Sequence, residues 1–235
     1  MRNALLYGAL ILASIINPAV CHSKTASELT ALARNLGRDP SATGRVRFTD
    51  AQILDFINEG QRDSVASTFC ILKEYTFDTV QGTVFYSLPT DYIRIDRLIS
   101  DDVRLEEKSV LKLDQEYTEW EANVGIPTAY YINFASRTKV GFYPYPGSVT
   151  STTTVKVEYY AQVTDMTASS TPFNSITEFT PFHQMLAYYA AAQMLYIDGF
   201  SNSADRYLQR YVSYKTEFAG YCRNKTILLD KLATK

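Results

Sequence analysis

Thr49-Asp50-Ala51-Gln52-Ile53-Leu54-Asp55-Phe56-Ile57-Asn58-Glu59-Gly60-Gln61-Arg62 runs at one hydrophobic period, and Tyr75-Thr76-Phe77-Asp78-Thr79-Val80-Gln81-Gly82-Thr83-Val84-Phe85-Tyr86 runs at another. The change between them decides the fold. In the first stretch Ile53, Leu54, Phe56 and Ile57, with Val65 beyond, recur at helical spacing. Thr49 and Gln52 form a capping-box pattern: the hydroxyl can accept from the Gln52 backbone N–H, and the Gln52 side chain can reach back. The spacing predicts a helix from Asp50 to about Thr68, with Asn58–Asp63 as its polar stretch. Gly60 in mid-helix costs about 1 kcal/mol against alanine. It points to close packing against another helix, or is merely a tolerated defect. In the second stretch the period falls to two, and Gln81-Gly82 is a hairpin-turn signal between two strands.

Beyond these stretches, Leu88–Tyr92 reads as a turn and Ile93–Ile99 as a further strand. Asp101-Asp102 is another turn, followed by a short strand near Val103–Leu105 and a short helix over Leu111–Glu121. Gly125-Ile126-Pro127 breaks the chain, and Tyr130–Phe134, Lys139–Tyr143 and Thr152–Tyr160 read as three more strands. Thr164–Asn174 is a Ser/Thr-rich linker. Ser27–Leu36 is predicted as a helix capped by Ser27 and ended by Gly37. Thr180-Pro181 opens Phe182–Asp198, which is apolar nearly all round and so predicted to be buried, with Gly199 as its cap. The last helix runs from Ser203 to about Arg223. Tyr207, Tyr211, Tyr214, Phe218 and Tyr221 follow one another at spacings 4, 3, 4 and 3, an aromatic seam. It is expected to pack on the buried helix of the same subunit, or otherwise on a neighbouring subunit. The predicted class is α+β. A four-helix bundle-like α domain (24–74 and 175–235) carries an antiparallel β insertion and linker (75–174) between its second and third helices.

The composition fits an ordered chain without obvious chemistry. Apolar residues make up 46%, which argues against disorder, and the net charge of −2 is not that of a polyanion binder. The 18 tyrosines suit sheet faces and protein interfaces, and equally suit ordinary β positions. Three cysteines (Cys21, Cys70, Cys222) do not make a disulfide framework. A Cys70–Cys222 bridge is open to an exported chain, but the spacing does not demand it. Two histidines are too few for a zinc site, and nucleotide-binding and nucleophile-elbow motifs are absent from the sequence. His183 sits among apolar neighbours near a helix start, as a structural histidine would. The pairs Glu106-Glu107 and Asp101-Asp102 resemble acid clusters, but adjacent strand residues point to opposite faces. Arg45-Val46-Arg47 and Arg206 with Arg210 are small basic groups, expected as solvent-facing charge. No catalytic, cofactor or metal residue is assigned, and no enzymatic activity is expected.

Met1–Ser23 reads like a secretory signal: Arg2, then apolar Leu5–Ile16, then Ala19-Val20-Cys21 as a small-residue cleavage site. An over-extended gene start is the other reading. The segment is too short and lightly flanked for a membrane span.

Four stretches resemble phage head–tail adaptor (connector) proteins. They are the helix Phe48–Arg62; Phe85-Tyr86-Ser87-Leu88-Pro89-Thr90-Asp91-Tyr92-Ile93-Arg94-Ile95; Trp120 with Gly125-Ile126-Pro127-Thr128-Ala129-Tyr130-Tyr131; and Val140–Gly147 followed by Val155–Tyr160. With the final helices they cover about Ser27 to Arg223. The N-terminal apolar segment departs from the family. The resemblance implies a structural virion protein: a closed homo-oligomeric ring, commonly twelvefold, that docks under the portal protein, joins the head to tail or stopper proteins and passes DNA through its lumen. It implies that the Tyr207–Tyr221 seam lies near an interface, and that Arg45 and Arg47 are candidates for non-specific contact with DNA or a partner. The alternative is an exported envelope binding protein with a cleaved signal peptide.

Overall fold

The structure is a computed structural model and describes residues 23–39, 46–146 and 154–233, with side chains as far as residue 224. Of the signal-like segment Met1–Ser23, residues 1–22 lie outside the described residues, as does the Arg45 candidate. Two helices open the described chain, α1 (Ala26–Leu36) and α2 (Asp50–Thr68). The Thr49 capping box forms as the sequence predicts: Thr49 Oγ1 accepts the Gln52 N–H at 3.2 Å, and Gln52 Oε1 accepts the Thr49 N–H at 2.8 Å. The cap of α1 is Thr25 rather than Ser27. Glu28 completes its box by accepting the Thr25 N–H at 2.7 Å. A side chain that reaches both ends of the exchange outcompetes one that sits a turn too late.

The middle of the chain holds β1 (Leu72–Asp78), β2 (Phe85–Ser87), β3 (Tyr92–Ser100), β4 (Val103–Arg104), β5 (Glu106–Glu107), α3 (Val110–Glu116), β6 (Val124–Gly125), β7 (Ala129–Ile132), β8 (Lys139–Tyr143), β9 (Tyr145–Pro146) and β10 (Thr154–Ala161). They form three sheets of order β1-β10-β3-β4, β2-β8-β7-β5 and β6-β9. The first is antiparallel throughout, whereas β5–β7 and β6–β9 are parallel pairs. The hairpin expected at Gln81-Gly82 does not form. Tyr75 lies opposite Val157 in the first sheet, and Tyr86 lies opposite Val140 in the second. Gly82, at φ +75°, turns the chain from one sheet into the next. A glycine turn has the same local signature in either case; only a distant partner strand tells them apart.

Two helices close the chain, α4 (His183–Ile197) and α5 (Ser201–Ala233). Thr180 does not cap α4; it lies within a 3-10 turn, Thr177–Phe182, that runs directly into the helix. Helix α4 is buried on nearly every side, through Met185, Leu186, Ala187, Ala190, Ala191 and Met194, and α1, α2 and α5 all pack against it. Among the described residues, no helix is long and apolar enough to cross a membrane.

The expected four-helix bundle-like domain is not what the chain forms. Among the described residues, five α-helices and ten strands make a mixed α+β structure, with α3 set among the strands. Ile95 and Leu98 of β3 and Val155, Val157 and Tyr159 of β10 belong to the same core cluster as Ile53, Ile57, Met185 and Phe218. The inner face of that sheet is apolar and must be covered, so the helices are drawn onto it instead of closing only on one another. A second, smaller cluster gathers Leu113, Trp120, Ala129, Tyr131 and Tyr143 beneath α3.

Candidate functional site

Ile53, Ile57, Gln61 and Val65 follow one another every four residues, so the middle of α2 continues its buried stripe with polar side chains. These polar groups bind the linker between β10 and α4. Asn58 donates from Nδ2 to the Met166 carbonyl at 3.2 Å and accepts the Met166 N–H at 2.8 Å. Gln61 donates to the Thr164 carbonyl at 3.1 Å and accepts the Phe173 N–H at 2.6 Å. Arg62 pairs with Asp165 beside them. The linker is therefore a clamped strap across α2. Sequence reading missed this role, although the four-residue spacing of Gln61 with its apolar neighbours carries the signal.

Gly60 lies where α2 meets α4. A Cβ there would stand 2.9 Å from the Tyr189 ring, so the glycine is a packing requirement. Tyr211 of α5 donates its hydroxyl to the Gly60 carbonyl at 3.0 Å and to Asp63. Burial would raise the Asp63 pKa, but the bonds from Tyr211 and Lys215 hold it below the usual carboxylate value. The Tyr211 phenol is pushed far up, first by burial and then by its bond to Asp63. Three helices thus meet at one hydrogen-bonded point.

The rest of the aromatic seam lies along α4 and the turn before it. Tyr207 stacks on Tyr188, with centroids 6.1 Å apart, and Tyr214 meets Tyr188 at 5.9 Å. Phe218 is fully buried among Phe173, Phe179 and Phe182. Tyr221 packs on Phe182 but stays 38% exposed.

Arg47 is drawn into an ion network. Asp39, almost fully buried, accepts the backbone N–H groups of Arg47 and Phe48 at 2.9 and 3.1 Å and pairs with Arg34 at 3.1 Å. The Arg47 guanidinium lies 2.6 Å from Asp198 at the end of α4. The acid pairs do not converge: Glu106 pairs with Lys112 at 3.2 Å, Glu107 accepts from Tyr130, and Asp101 and Asp102 stand in an exposed turn. Among the described residues no group of three or more His, Cys, Asp or Glu is placed to hold a metal.

Cys70, between α2 and β1, forms a disulfide with Cys222 of α5, their Cα atoms 5.3 Å apart. Beside it a groove of about 380 Å³ is lined by Ser67, Thr68, Phe69, Arg94, Tyr160 and Arg223. On the second sheet a larger groove of about 560 Å³ is lined by aromatic residues including Phe85, Trp120, Tyr131 and the 93% exposed Phe134. The second groove is largely apolar, and the first is lined by hydroxyl and guanidinium groups as well as rings.

No curated protein sequence matches the chain. The model of the SU10 adaptor protein family matches residues 24–225, from just before α1 deep into α5 and so across every sheet. A match of that extent takes in the clamped strap, the three-helix junction and both grooves, and by it the chain belongs to the SU10 adaptor protein family, a family of structural phage adaptor proteins.

Proposed function

We propose that the chain is a head-to-tail adaptor, which docks as a closed ring of copies beneath the portal protein, receives tail or stopper proteins on its other side and leaves a lumen for DNA. The observation that carries this reading is the family match over residues 24–225. The surface supports it. Exposed apolar side chains, Val84, Phe85, Phe134, Val124 and Ile126 among them, cluster on the strands and loops of the second and third sheets, where partner chains would cover them. A closed ring uses two different patches of each copy, so a chain with one groove between its helices and first sheet and another on its second sheet is suited to it. The test is a phage whose gene for this chain is interrupted. It should yield packaged heads and separate tails that never join, and complementation should restore complete particles. Complete infectious particles without the chain would contradict the reading.

One observation favours a second reading, an exported envelope binding protein. Disulfides persist in oxidising compartments, and Cys70–Cys222 together with the signal-like Met1–Ser23 fits export. Mass spectrometry of the mature N-terminus decides it. A terminus cut near Cys21–Lys24 in envelope fractions supports export; the chain in purified particles supports the adaptor.

A further inference from the structure

Arg94 lies across two rings, its guanidinium 5.4 Å from the Phe69 centroid and 5.9 Å from that of Tyr160. A stacked guanidinium keeps its planar edge of N–H donors free and held in one orientation. Arg223 of α5 lines the same groove, with the hydroxyls of Ser67 and Thr68. The Cys70–Cys222 bridge fixes the α5 turn that carries Arg223 to the chain between α2 and β1. Neither arginine is paired with a carboxylate of the described residues. The nearest acid along the β3 face, Asp96, is engaged by the Tyr160 hydroxyl at 3.1 Å. The groove is therefore a cationic fork built to receive carboxylates.

The other end of the same strand carries the complement. Asp101 and Asp102 form the β3–β4 turn, both exposed and both in the left-handed region, at φ 47° and 64°. No cation among the described residues pairs with either. Seven residues of extended chain separate Arg94 from Asp101, about 23 Å. One copy thus presents a cationic groove at one end of β3 and an anionic turn at the other.

We infer that copies of this chain join head to tail through these two surfaces, Asp101 and Asp102 of one copy entering the Arg94–Arg223 groove of the next. The contact is heterologous, the kind that closes into a ring when the rotation between copies allows it. It rests on the ring reading above and adds the contact that sets the order of copies. The occupant is a second copy rather than nucleic acid: the fork offers two cations, where a polyanion track needs many, and the chain as a whole carries −2.

The experiment compares four samples of the full chain by light scattering, alone and on the portal protein of the same phage: wild type, the double variant Arg94→Glu/Arg223→Glu, the double variant Asp101→Lys/Asp102→Lys, and an equimolar mixture of the two variants. In the mixture every groove meets a turn of opposite charge when the two variants alternate: the reversed groove takes the reversed turn, and the unreversed groove takes the unreversed turn. Each variant alone should need at least about tenfold more protein to assemble than wild type, the lower end of measured couplings between close charge pairs, and the mixture should recover wild-type assembly. Because lysine strains a left-handed turn, Asp101→Asn/Asp102→Asn serves as a second variant that keeps the turn and loses only the charge. It too should weaken assembly. Variants that assemble as wild type does, or a mixture that fails to recover, would overturn the contact and leave the ring reading standing. A loss of binding to a DNA fragment with assembly unchanged would also overturn it and assign the groove to phosphates. A wild type that never assembles, alone or on the portal, would overturn the contact and the ring reading together.

Discussion

Among the described residues His183 has one hydrogen-bond partner: its Nδ1 accepts the Lys24 backbone N–H at 3.3 Å, while Nε2 is buried without one. Burial lowers its pKa from 6.5 to about 4. The folded chain therefore holds the neutral ring, and the unfolded chain binds the proton first. Stability is full above pH about 6.5 and is lost as the pH falls toward 4, by about 3 kcal/mol at most. Urea unfolding across this range should show that slope, and His183→Gln should flatten it. Gly60 makes a second prediction. Alanine would favour the helix by about 1 kcal/mol, but its methyl would stand 2.9 Å from the Tyr189 ring. Overpacking costs about 1–3 kcal/mol, which offsets that gain, so Gly60→Ala should lower stability by up to about 2 kcal/mol in the same assay. A gain would show that α2 and α4 can move apart freely. The sequence posed Gly60 as either a close approach or a defect; only the position of Tyr189, 129 residues away, decides between them.

Helix α2 acts as the element that orders the linker. Asn58 and Gln61 each satisfy one backbone N–H and one carbonyl of the strap. Truncating either leaves buried backbone groups unpaired, at about 1–3 kcal/mol each. Asn58→Ala should destabilise the fold by about 2–4 kcal/mol and speed hydrogen exchange at the Met166 amide; Gln61→Ala should do the same at Phe173. Unchanged exchange at those amides would show that the strap holds without α2. Elements set by local chemistry were legible in the sequence: the Thr49 box, the Tyr207–Tyr221 spacing, and Gly199, which takes φ +81° just beyond α4. Elements set by distant partners were not. The partner of β1 begins some eighty residues later, and nothing near Gln81-Gly82 announces it. The linker looked like free loop because its partners lie on α2, and the groove beside Arg94 gathers residues from α2, β3, β10 and α5.

At the scale of the whole molecule, one core joins helices and sheet, and the Cys70–Cys222 bridge ties the two together across 152 residues of chain. A loop of that length gives about 5 kcal/mol as an entropic ceiling, and removed native bridges commonly cost about 2–5 kcal/mol. Reductant should lower the melting temperature, and Cys70→Ser/Cys222→Ser should melt at the reduced value and ignore the reductant. A reductant effect that survives in that variant would place the redox sensitivity elsewhere. The expected bundle failed at this scale for a related reason: each apolar face was visible in the sequence, but not which other face would cover it. The proposed role requires that copies of the chain assemble as a ring on the portal. The direct measurement is the native mass of the complex formed by the full 26.6 kDa chain and the portal protein of the same phage. A ring-forming adaptor should add one fixed number of copies per portal ring, unchanged by excess chain. A portal whose mass does not change, or that takes up a variable scatter of copies, would contradict it.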